Sequence, residues 1–266
     1  MPLFTDQTGF TIELRKPPER IISLVPSQTE LLSFLGLNKE VAGITKFCVH
    51  PSAWFIGKQK IGGTKTVNIN IVSRLQPDLI IANKEENTKE DVETLRALCP
   101  VWVSDIHTLT DALEMVKNLG EITNRPEKAG LLMSNIESAF EVLSQKYISA
   151  NQATAYLIWR NPYMAAGGQT FIHDMMNTCG FKNIFENQGR YPVVTTEEIR
   201  KAGCELLLLS SEPFPFKQKH IDELQQVLPD AQIMLVDGEM FSWYGSRLIH
   251  ASSYFEQLLK QLKKIR

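Results

Sequence analysis

The sequence predicts an α/β protein with two Rossmann-like lobes, each built on a parallel sheet, bridged by one long rigid helix and with a ligand cleft between the lobes. Three observations support this fold class. Short apolar segments alternate with helical patterns in the first half, one amphipathic pattern of about 22 residues follows, and the same order of elements then repeats. At 266 residues the chain has the length of about two domains.

Composition and charge restrict the class of protein. Hydrophobic residues make up 43% and charged residues 22% of the chain, which is typical of a globular protein. The 28 basic and 30 acidic residues give a formal net charge of −2, so the basic surplus of a nucleic-acid-binding protein is absent. No apolar run approaches the roughly 18 residues that a membrane span needs.

The first half of the chain alternates strand and helix patterns. Residues 20–25 (RIISLV) predict a buried strand that ends at Pro26. Ser27 with Glu30 three positions later predicts a capping box, and Gly36 stands where that helix should end. Because strands separated by helices pair in parallel, this half predicts a parallel sheet. Its further elements are a helix over 71–75 and strands over 78–82 (DLIIA) and 101–104.

One long amphipathic helix is predicted over residues 126–147. Leu132, Ile136, Phe140 and Leu143 recur at steps of four, four and three, which places them on one helical face. A helix of this length extends roughly 33 Å, close to the diameter of a small domain. We therefore predict an N-terminal α/β lobe over 1–122, a bridging helix over 123–149 and a C-terminal α/β lobe over 150–266.

The second half repeats the order of the first. A strand over 153–159 precedes a helix over 171–176 that ends before Gly180, and a strand over 205–209 follows. Residues 224–228 and Pro229 then lead into a strand over 233–236, much as residues 95–98 and Pro100 lead into the strand over 101–104. The two halves therefore share one architecture.

Three enzyme and metal templates are absent. Ser27 lacks the flanking glycines of a nucleophile elbow, so a serine hydrolase is not expected. The GGTK sequence at 62–65 lacks the upstream glycine of a phosphate-binding loop and predicts a turn. Histidines 107, 173, 220 and 250 lack the spacing that puts two metal ligands on one helix face. We expect no catalytic residues and no metal site of the protein itself.

Several loops that follow predicted strands are rich in aromatic and polar residues. Ligands bind beyond the carboxyl ends of parallel strands, and aromatic side chains hold planar or apolar ligands. The alternative is that these rings only close the edges of each lobe, but their presence in both halves favours a shared cleft. The loops are residues 46–54 (KFCVHPSAW), 84–87 (KEEN), 159–168 (WRNPYMAAGG), 212–216 (EPFPF) and 239–247 (EMFSWYGSR).

Residues 20–35 (RIISLVPSQTELLSFL), 71–82 (IVSRLQPDLIIA) and 167–185 resemble the substrate-binding proteins of ABC importers for vitamin B12 and ferric siderophores. The resemblance extends from about residue 18 to residue 262. It implies a ligand held between two lobes with little hinge closure. It also implies an acidic residue on each lobe that docks onto a permease. Glu197 stands at this place in the second lobe, whereas Asn70 replaces the acid in the first.

The expected function is the binding of a metal-centred organic chelate, cobalamin-like first and ferric siderophore or haem second, as the substrate-binding component of an ABC-type uptake system. The expected partners are this chelate and an ABC permease, with no nucleic acid, and we expect a monomer without a cofactor. The expected ligand-binding residues are His50, Trp54, Lys84 and Glu85 in the first lobe and Trp159, Arg160, Phe214, Trp243, Tyr244 and Arg247 in the second.

Alternatives remain at this stage. His50 is either an axial metal ligand of the chelate or a turn residue before Pro51. A corrinoid- or tetrapyrrole-handling enzyme would use Glu85, Glu86 and His50 as acid and base groups, and a sensor or a partner-binding module on the same scaffold is a further option. The resemblance implies a periplasmic or cell-envelope location, but residues 1–25 lack an export signal. Either a leader was removed, or the protein is a cytoplasmic relative.

Overall fold

The structure, a computed structural model, describes residues 2–147 and 151–265. The chain divides into two compact units. The first consists of residues up to Ile106, Thr110–Asn135 and Tyr244–Arg247, and the second of His107–Leu109, Ile136–Trp243 and the chain from Leu248 onward. The predicted boundary between the bridging helix and the second lobe, at 149 and 150, lies outside the described residues. The three-part division of the chain stays a prediction.

The first half of the chain alternates strands and helices, as its sequence pattern predicts. In chain order its elements are β1 Leu3–Thr5, β2 Thr11–Glu13, β3 Ile21–Ser23, α1 Pro26–Phe34, β4 Val41–Ile44, α2 Ser52–Gly57, β5 Gln59–Lys60, β6 Gly62–Gly63, β7 Thr66–Val67, α3 Ile69–Leu75, β8 Leu79–Asn83, α4 Lys89–Arg96, β9 Val101–Ser104 and α5 Leu109–Ile122.

The sheet of the first unit has five strands in the order β5-β4-β3-β8-β9, and every pairing is parallel. Its β3, β8 and β9 strands are buried at every position, as expected for a sheet covered on both faces. Short antiparallel pairs join β1 to β2 and β6 to β7. Thr64 and Lys65 form the turn between β6 and β7, which confirms the prediction of a turn in the GGTK sequence.

The predicted capping box at the start of α1 is wrong. The helix begins two residues earlier than predicted, with Pro26 as its first residue, and its N-cap residue Val25 provides no side-chain hydrogen bond. Proline suits this position because its missing N–H would have no partner inside the helix. Glu30 is therefore available for a different contact, described below. Gly36 follows the helix with a φ of +86°, the left-handed conformation that glycine favours at a helix end.

The long helix α6 occupies Pro126–Tyr147, the predicted bounds. Leu132, Ile136, Phe140 and Leu143 are all buried, which confirms the predicted apolar face. The compact units divide between Asn135 and Ile136, so that α6 contributes residues to both.

The second half contains β10 Gln152–Trp159, β11 Tyr163–Ala165, α7 Phe171–Thr178, β12 Phe181–Asn183, β13 Val193–Val194, α8 Thr196–Lys201, β14 Leu206–Ser210, α9 Gln218–Val227, β15 Gln232–Val236, α10 Gly238–Ser242 and α11 Leu248–Ile265. None of the helices in the described ranges combines the length and apolar character that crossing a bilayer requires.

The sheet of the second unit is parallel at its centre and antiparallel at one edge. Its path runs β13-β11-β10-β14-β15, with β12 also paired to β10. The predicted strands β10, β14 and β15 run parallel, as expected. Three strands were not predicted: β12 pairs parallel to β10, whereas β11 and β13 pair antiparallel. Only three residues separate β10 from β11, too few for the crossover that a parallel pair needs, so these strands form a hairpin.

Candidate functional site

An aromatic cluster lies at the carboxyl ends of the parallel strands in the second unit. Trp159 ends β10, and its ring centroid lies 5.9 Å from that of Phe214, in the loop after β14, with a T-shaped geometry. Phe214 in turn lies 4.8 Å from Phe216 and 5.4 Å from the ring of His220. Trp159 is 40% exposed, whereas Phe216 and His220 are buried. The cluster therefore consists of one accessible indole and the buried rings beneath it.

His220, at the start of α9, holds the buried part of the aromatic cluster in place. Its Nδ1 accepts a hydrogen bond of 2.9 Å from the backbone N–H of Lys217, which closes the first turn of the helix. Burial lowers the pKa of His220, and the nearby Arg160 guanidinium lowers it further. A neutral imidazole with an unprotonated Nδ1 is the form that accepts this bond. Arg160 itself forms an ion pair of 2.6 Å with Glu223 on α9.

Glu212 connects the loop after β14 to the loop after β15. Its Oε1 accepts hydrogen bonds of 2.8 Å from the indole N–H of Trp243 and 2.8 Å from the hydroxyl of Ser242. The hydroxyl of Ser210 donates to the backbone carbonyl of Glu212 at 2.6 Å, which anchors the loop to the end of β14. Trp243 is only 7% exposed. Its ring is therefore enclosed, and its N–H is paired with Glu212.

An open cavity of about 540 Å³ adjoins these loops in the second unit. Burial raises the pKa of Glu212, and the hydrogen bonds from Ser242 and Trp243 oppose that rise. The cavity is lined by Ser211, Glu212, Leu235, Val236, Asp237 and Glu239. Across the described parts of the chain, no three His, Cys, Asp or Glu side chains are grouped as a metal site would need.

The raised pKa of Glu212 predicts a pH-dependent stability difference in Glu212→Gln. When the pKa of a carboxyl is higher in the folded than in the unfolded protein, the free energy of unfolding decreases as the pH rises through the folded-state pKa. Glutamine keeps an acceptor for Ser242 and Trp243 without the buried charge. We expect Glu212→Gln to unfold at higher denaturant than the wild type at pH 7.5 and at the same concentration at pH 4. An equal difference at both pH values would contradict this assignment.

Two predicted residues of the first unit follow β8, in a loop fixed by Asn83. The Asn83 side-chain oxygen accepts backbone hydrogen bonds of 2.9 Å from Glu85 and 3.0 Å from Glu86, which shapes a tight turn. Lys84 extends from this turn and forms an ion pair of 2.5 Å with Asp105, after β9. The loop therefore presents Lys84, half exposed, at the carboxyl end of the first sheet.

The other two predicted residues of this unit, His50 and Trp54, lie at the start of α2. His50 is half-buried and directly precedes Pro51, the N-cap residue of that helix. Trp54 is only 5% exposed, and its indole N–H donates a 2.8 Å hydrogen bond to the Asn38 side chain. In this position Trp54 packs the helix onto its own unit.

Arg247 is paired with Glu30 within the first unit. Its Nε and Nη2 donate hydrogen bonds of 3.0 and 2.7 Å to the two carboxylate oxygens of Glu30 on α1. The adjacent Tyr244 belongs to the same compact unit and is buried. Two of the Arg247 donors that we expected to face a ligand are therefore used by a carboxylate of the protein. The roles of Arg247 and Tyr244 in ligand binding stay predictions.

The two predicted docking positions are both exposed. Glu197 lies in the first turn of α8 and forms ion pairs with Arg200 and, at 3.5 Å, with Lys201. Asn70 lies near the start of α3. Both roles in docking stay predictions.

Sequence reasoning missed the acidic partners of the predicted basic and aromatic residues. Glu30 was assigned to a capping box, and Glu212 was noted only as the first residue of an aromatic loop. Asp105 and Glu223 carried no motif at all. Each acid sits just after a strand or on a helix, where carboxylates are common, so spacing alone offers no signal for these pairings. The missed partners are Glu30 for Arg247, Asp105 for Lys84, Glu212 for Trp243 and Glu223 for Arg160.

A family model and individual relatives each match most of this chain. A family model described as "Periplasmic binding protein" matches residues 21–230. The chain is 26% identical over 258 residues to a vitamin B12-binding protein of Photorhabdus laumondii, covering 96% of this chain and 92% of the relative. It is 26% identical over 213 residues to an uncharacterized ABC transporter substrate-binding lipoprotein, YvrC, of Bacillus subtilis, covering 76% of this chain and 67% of the relative.

Among solved structures, the periplasmic vitamin B12 binding protein BtuF of Vibrio cholerae is similar in fold. The TM-score is 0.78 at 22% sequence identity, and the match covers 93% of this chain and 99% of that chain. This likeness confirms the predicted two-lobed α/β fold class.

Proposed function

This chain belongs to the periplasmic binding protein family whose model matches residues 21–230, and from that membership we propose that it binds a metal-centred organic chelate as the substrate-binding component of an ABC-type uptake system. A cobalamin-like corrinoid is the first candidate ligand, and a ferric siderophore or haem is the second. The observation that carries the proposal is the match, over 96% of this chain, to a relative named for vitamin B12 binding.

The geometry of the second unit supports a large ligand with a flat face. Trp159 offers an exposed indole at the carboxyl end of β10, and Phe214 supports its edge. An indole stacks on a planar macrocycle or covers apolar ligand surface, while its position stays fixed by packing. We therefore assign the direct ligand contact in this unit to Trp159 and Phe214, and a supporting role to Trp243 through Glu212.

In the first unit, the same reasoning favours Lys84 and Glu85. Both follow the carboxyl end of β8, where parallel sheets bind ligands. Trp54 would support its loop by packing, because its ring is enclosed. His50, at the start of α2, is proposed as a loop residue that approaches the ligand.

We propose a permease as partner and a periplasmic or cell-envelope location, in keeping with the family. Glu197 is the proposed docking acid of the second unit, and Asn70 leaves the first unit without its counterpart. An exposed ion pair contributes about 0 to 1 kcal/mol, so the loss of one pair is compatible with docking. The comparisons lend no support to the alternative of an enzyme.

Replacing Trp159 with alanine tests the proposed contact. We expect Trp159→Ala to weaken ligand binding by about 1 to 3 kcal/mol, because the variant loses the apolar area that the indole would bury on the ligand. Affinities for cobalamin, haem and a ferric hydroxamate would be measured in turn by calorimetry and by the shift of the visible absorption band.

Phe34→Ala is the matched control. Phe34 is exposed to a similar degree, at 42%, but it is the last residue of α1 in the first unit. It therefore lies towards the amino-terminal edge of the first sheet, away from the carboxyl ends of the strands. Unchanged affinity in Trp159→Ala would reject the contact while leaving the function intact. Failure of the wild type to bind any of the three compounds would reject the proposed ligand class.

A further inference from the structure

The strand β15 stands at one edge of the sheet in the second unit. In a parallel ladder, the N–H and C=O groups of every second residue face away from the neighbouring strand. The N–H of Gln232 donates at 2.9 Å to the carbonyl of Glu205, directly before β14, so that Gln232 faces β14. Ile233 and Leu235 therefore direct their N–H and C=O groups outward. We call these four groups the open edge.

Side chains cover both ends of the open edge but not the open edge itself. The side-chain amide of Gln225, on α9, donates to the carbonyl of Ala231 at 3.1 Å. The hydroxyl of Tyr254, on α11, accepts a 2.8 Å hydrogen bond from the N–H of Asp237. Within the described parts of the chain, no group bonds to the open edge between them. Two donors and two acceptors are therefore available there for another strand.

The chain itself covers the corresponding edge of the first sheet. There β9 is the edge strand, and Val103 faces outward. Its N–H donates to the Asp6 side chain at 3.2 Å, and its carbonyl accepts from the N–H of Gln7 at 3.1 Å. Other edge strands are protected by proline, by charged residues or by a bulge. The β15 sequence, QIMLV, has neither proline nor charge, and its register with β14 is unbroken.

The open edge adjoins an uncharged groove of about 320 Å³ to which α9, β15 and α11 all contribute. Leu235 is 41% exposed in this groove. A second copy of the same surface would therefore meet no like charge. The proposed ligand contacts Trp159 and Phe214 do not line the groove, so pairing here and ligand binding use different surfaces. The lining residues are Gln218, Ile221, Met234, Leu235, Tyr254, Gln257, Leu258 and Gln261.

We propose that two copies of this chain pair antiparallel through their open edges, across a two-fold axis at Met234, which joins their second-unit sheets into one. In this register Ile233 of one copy lies opposite Leu235 of the other, and four hydrogen bonds between the chains use every group of both open edges. A shift of the axis by one residue would put an open group opposite Ala231 or Asp237, whose groups are already bonded. The covered ends therefore fix the position of the axis.

A second copy suits the open edge better than a free peptide does. It presents the same strand already ordered, whereas a peptide would lose conformational entropy in return for only four hydrogen bonds. Two-fold dimers are also the commonest symmetric assemblies. The groove is small compared with the roughly 20 to 30 residues a side of a standard interface, so we expect a weak dimer. The monomer that the sequence led us to expect is then the form present in dilute solution.

Sedimentation velocity of the full chain over a range of concentrations tests the proposal. We expect the wild type to change from monomer to dimer at a concentration on the order of 100 µM. Leu235→Pro should raise the dissociation constant of the dimer about tenfold, because two hydrogen bonds between the chains are lost. Proline is tolerated in an edge strand where the missing N–H faces solvent. Leu235→Lys, which places a charge at the edge, should weaken the dimer to a similar degree.

A cysteine at the two-fold axis tests the register without weakening the pairing. Residue 234 of one copy would stand opposite residue 234 of the other, in a pair whose Cα atoms lie about 4.5 Å apart, within the range of a disulfide. Mild oxidation at high concentration should therefore convert Met234→Cys into a covalent dimer. The wild type, whose cysteines are buried or half-buried, should form none.

Val193→Lys is the matched control. Val193 lies on β13, at the opposite edge of the same sheet, and is 59% exposed. This variant should dimerise like the wild type, and equal unfolding midpoints would confirm that each variant is folded. A monomer at every concentration would overturn the proposal, as would equal losses in Val193→Lys and Leu235→Lys. So would a monomeric chain that binds a synthetic peptide of residues 230–238, since the open edge would then take an extended segment of another protein.

Discussion

The Arg247→Ala variant is expected to unfold with a free energy about 3 kcal/mol below that of the wild type. The guanidinium donates two hydrogen bonds to Glu30, and the two side chains are only 12% and 22% exposed. Removing the arginine leaves the Glu30 carboxylate largely out of water without its partner. Denaturant unfolding of both proteins at pH 7 and low salt measures the difference.

Arg125→Ala is the matched control for this prediction. Arg125 forms an ion pair with Glu40 through a single contact of 3.2 Å, and both side chains are more exposed, at 33% and 25%. Such a pair contributes about 0 to 1 kcal/mol. In Glu30→Gln/Arg247→Ala, which removes the unpaired charge, we expect part of the lost stability to return. If Arg247→Ala and Arg125→Ala were destabilised equally, the two-bond contact would not carry the energy assigned to it.

The Gly167→Ala variant is expected to lose about 3 kcal/mol of stability, near the upper end for overpacking. A Cβ atom at this position would lie 2.1 Å from the backbone carbonyl oxygen of Gln188 and 3.1 Å from that of Arg190. Neither carbonyl moves easily, because the Gly167 N–H donates to Arg190 at 2.7 Å and the neighbouring Gly168 N–H donates to Gln188 at 2.7 Å. The added methyl group therefore fits only if the segment at Gly167 moves away from residues 186–190.

Gly130→Ala provides the opposite case in the same protein. Gly130 lies inside α6, and a Cβ there would meet no atom within 4 Å. Alanine has the higher helix propensity, so this variant should gain up to about 1 kcal/mol. Thermal or denaturant unfolding of the pair separates backbone crowding from a general effect of replacing glycine. A stable Gly167→Ala protein would mean that the 186–190 segment is not held against Gly167.

Local patterns determined several helices and the central strands. The strand Val101–Ser104 and the helix Pro126–Tyr147 have the predicted bounds, because burial along a strand or a helix face follows the spacing of apolar side chains. The family-level function also follows from the sequence, since the matching segments run through the elements that build both sheets. The hairpin strand β11 escaped prediction because its three residues, Tyr163–Ala165, are too short for a periodic signal.

What the local pattern did not determine was the accessibility of each predicted site residue. Trp54, Trp159 and Trp243 all lie in segments that the sequence predicted as loops after strands, yet only Trp159 exposes its ring. The three residues were therefore equivalent in type and in predicted position, and packing by other segments decided which ring is exposed. Asn38 lies 16 positions from Trp54, and Glu212 lies 31 positions from Trp243.

The pairing of Arg247 with Glu30 shows most clearly what local sequence patterns cannot predict, since 217 positions separate the two residues. The sequence alone determined that both were charged, that one lay on a helix and that the other ended an aromatic loop. Only the tertiary structure decided that they meet, because a contact at this separation depends on how the chain folds between them. The physical reason is that hydrophobic periodicity is a local property, whereas burial and charge pairing depend on neighbours distant in the chain.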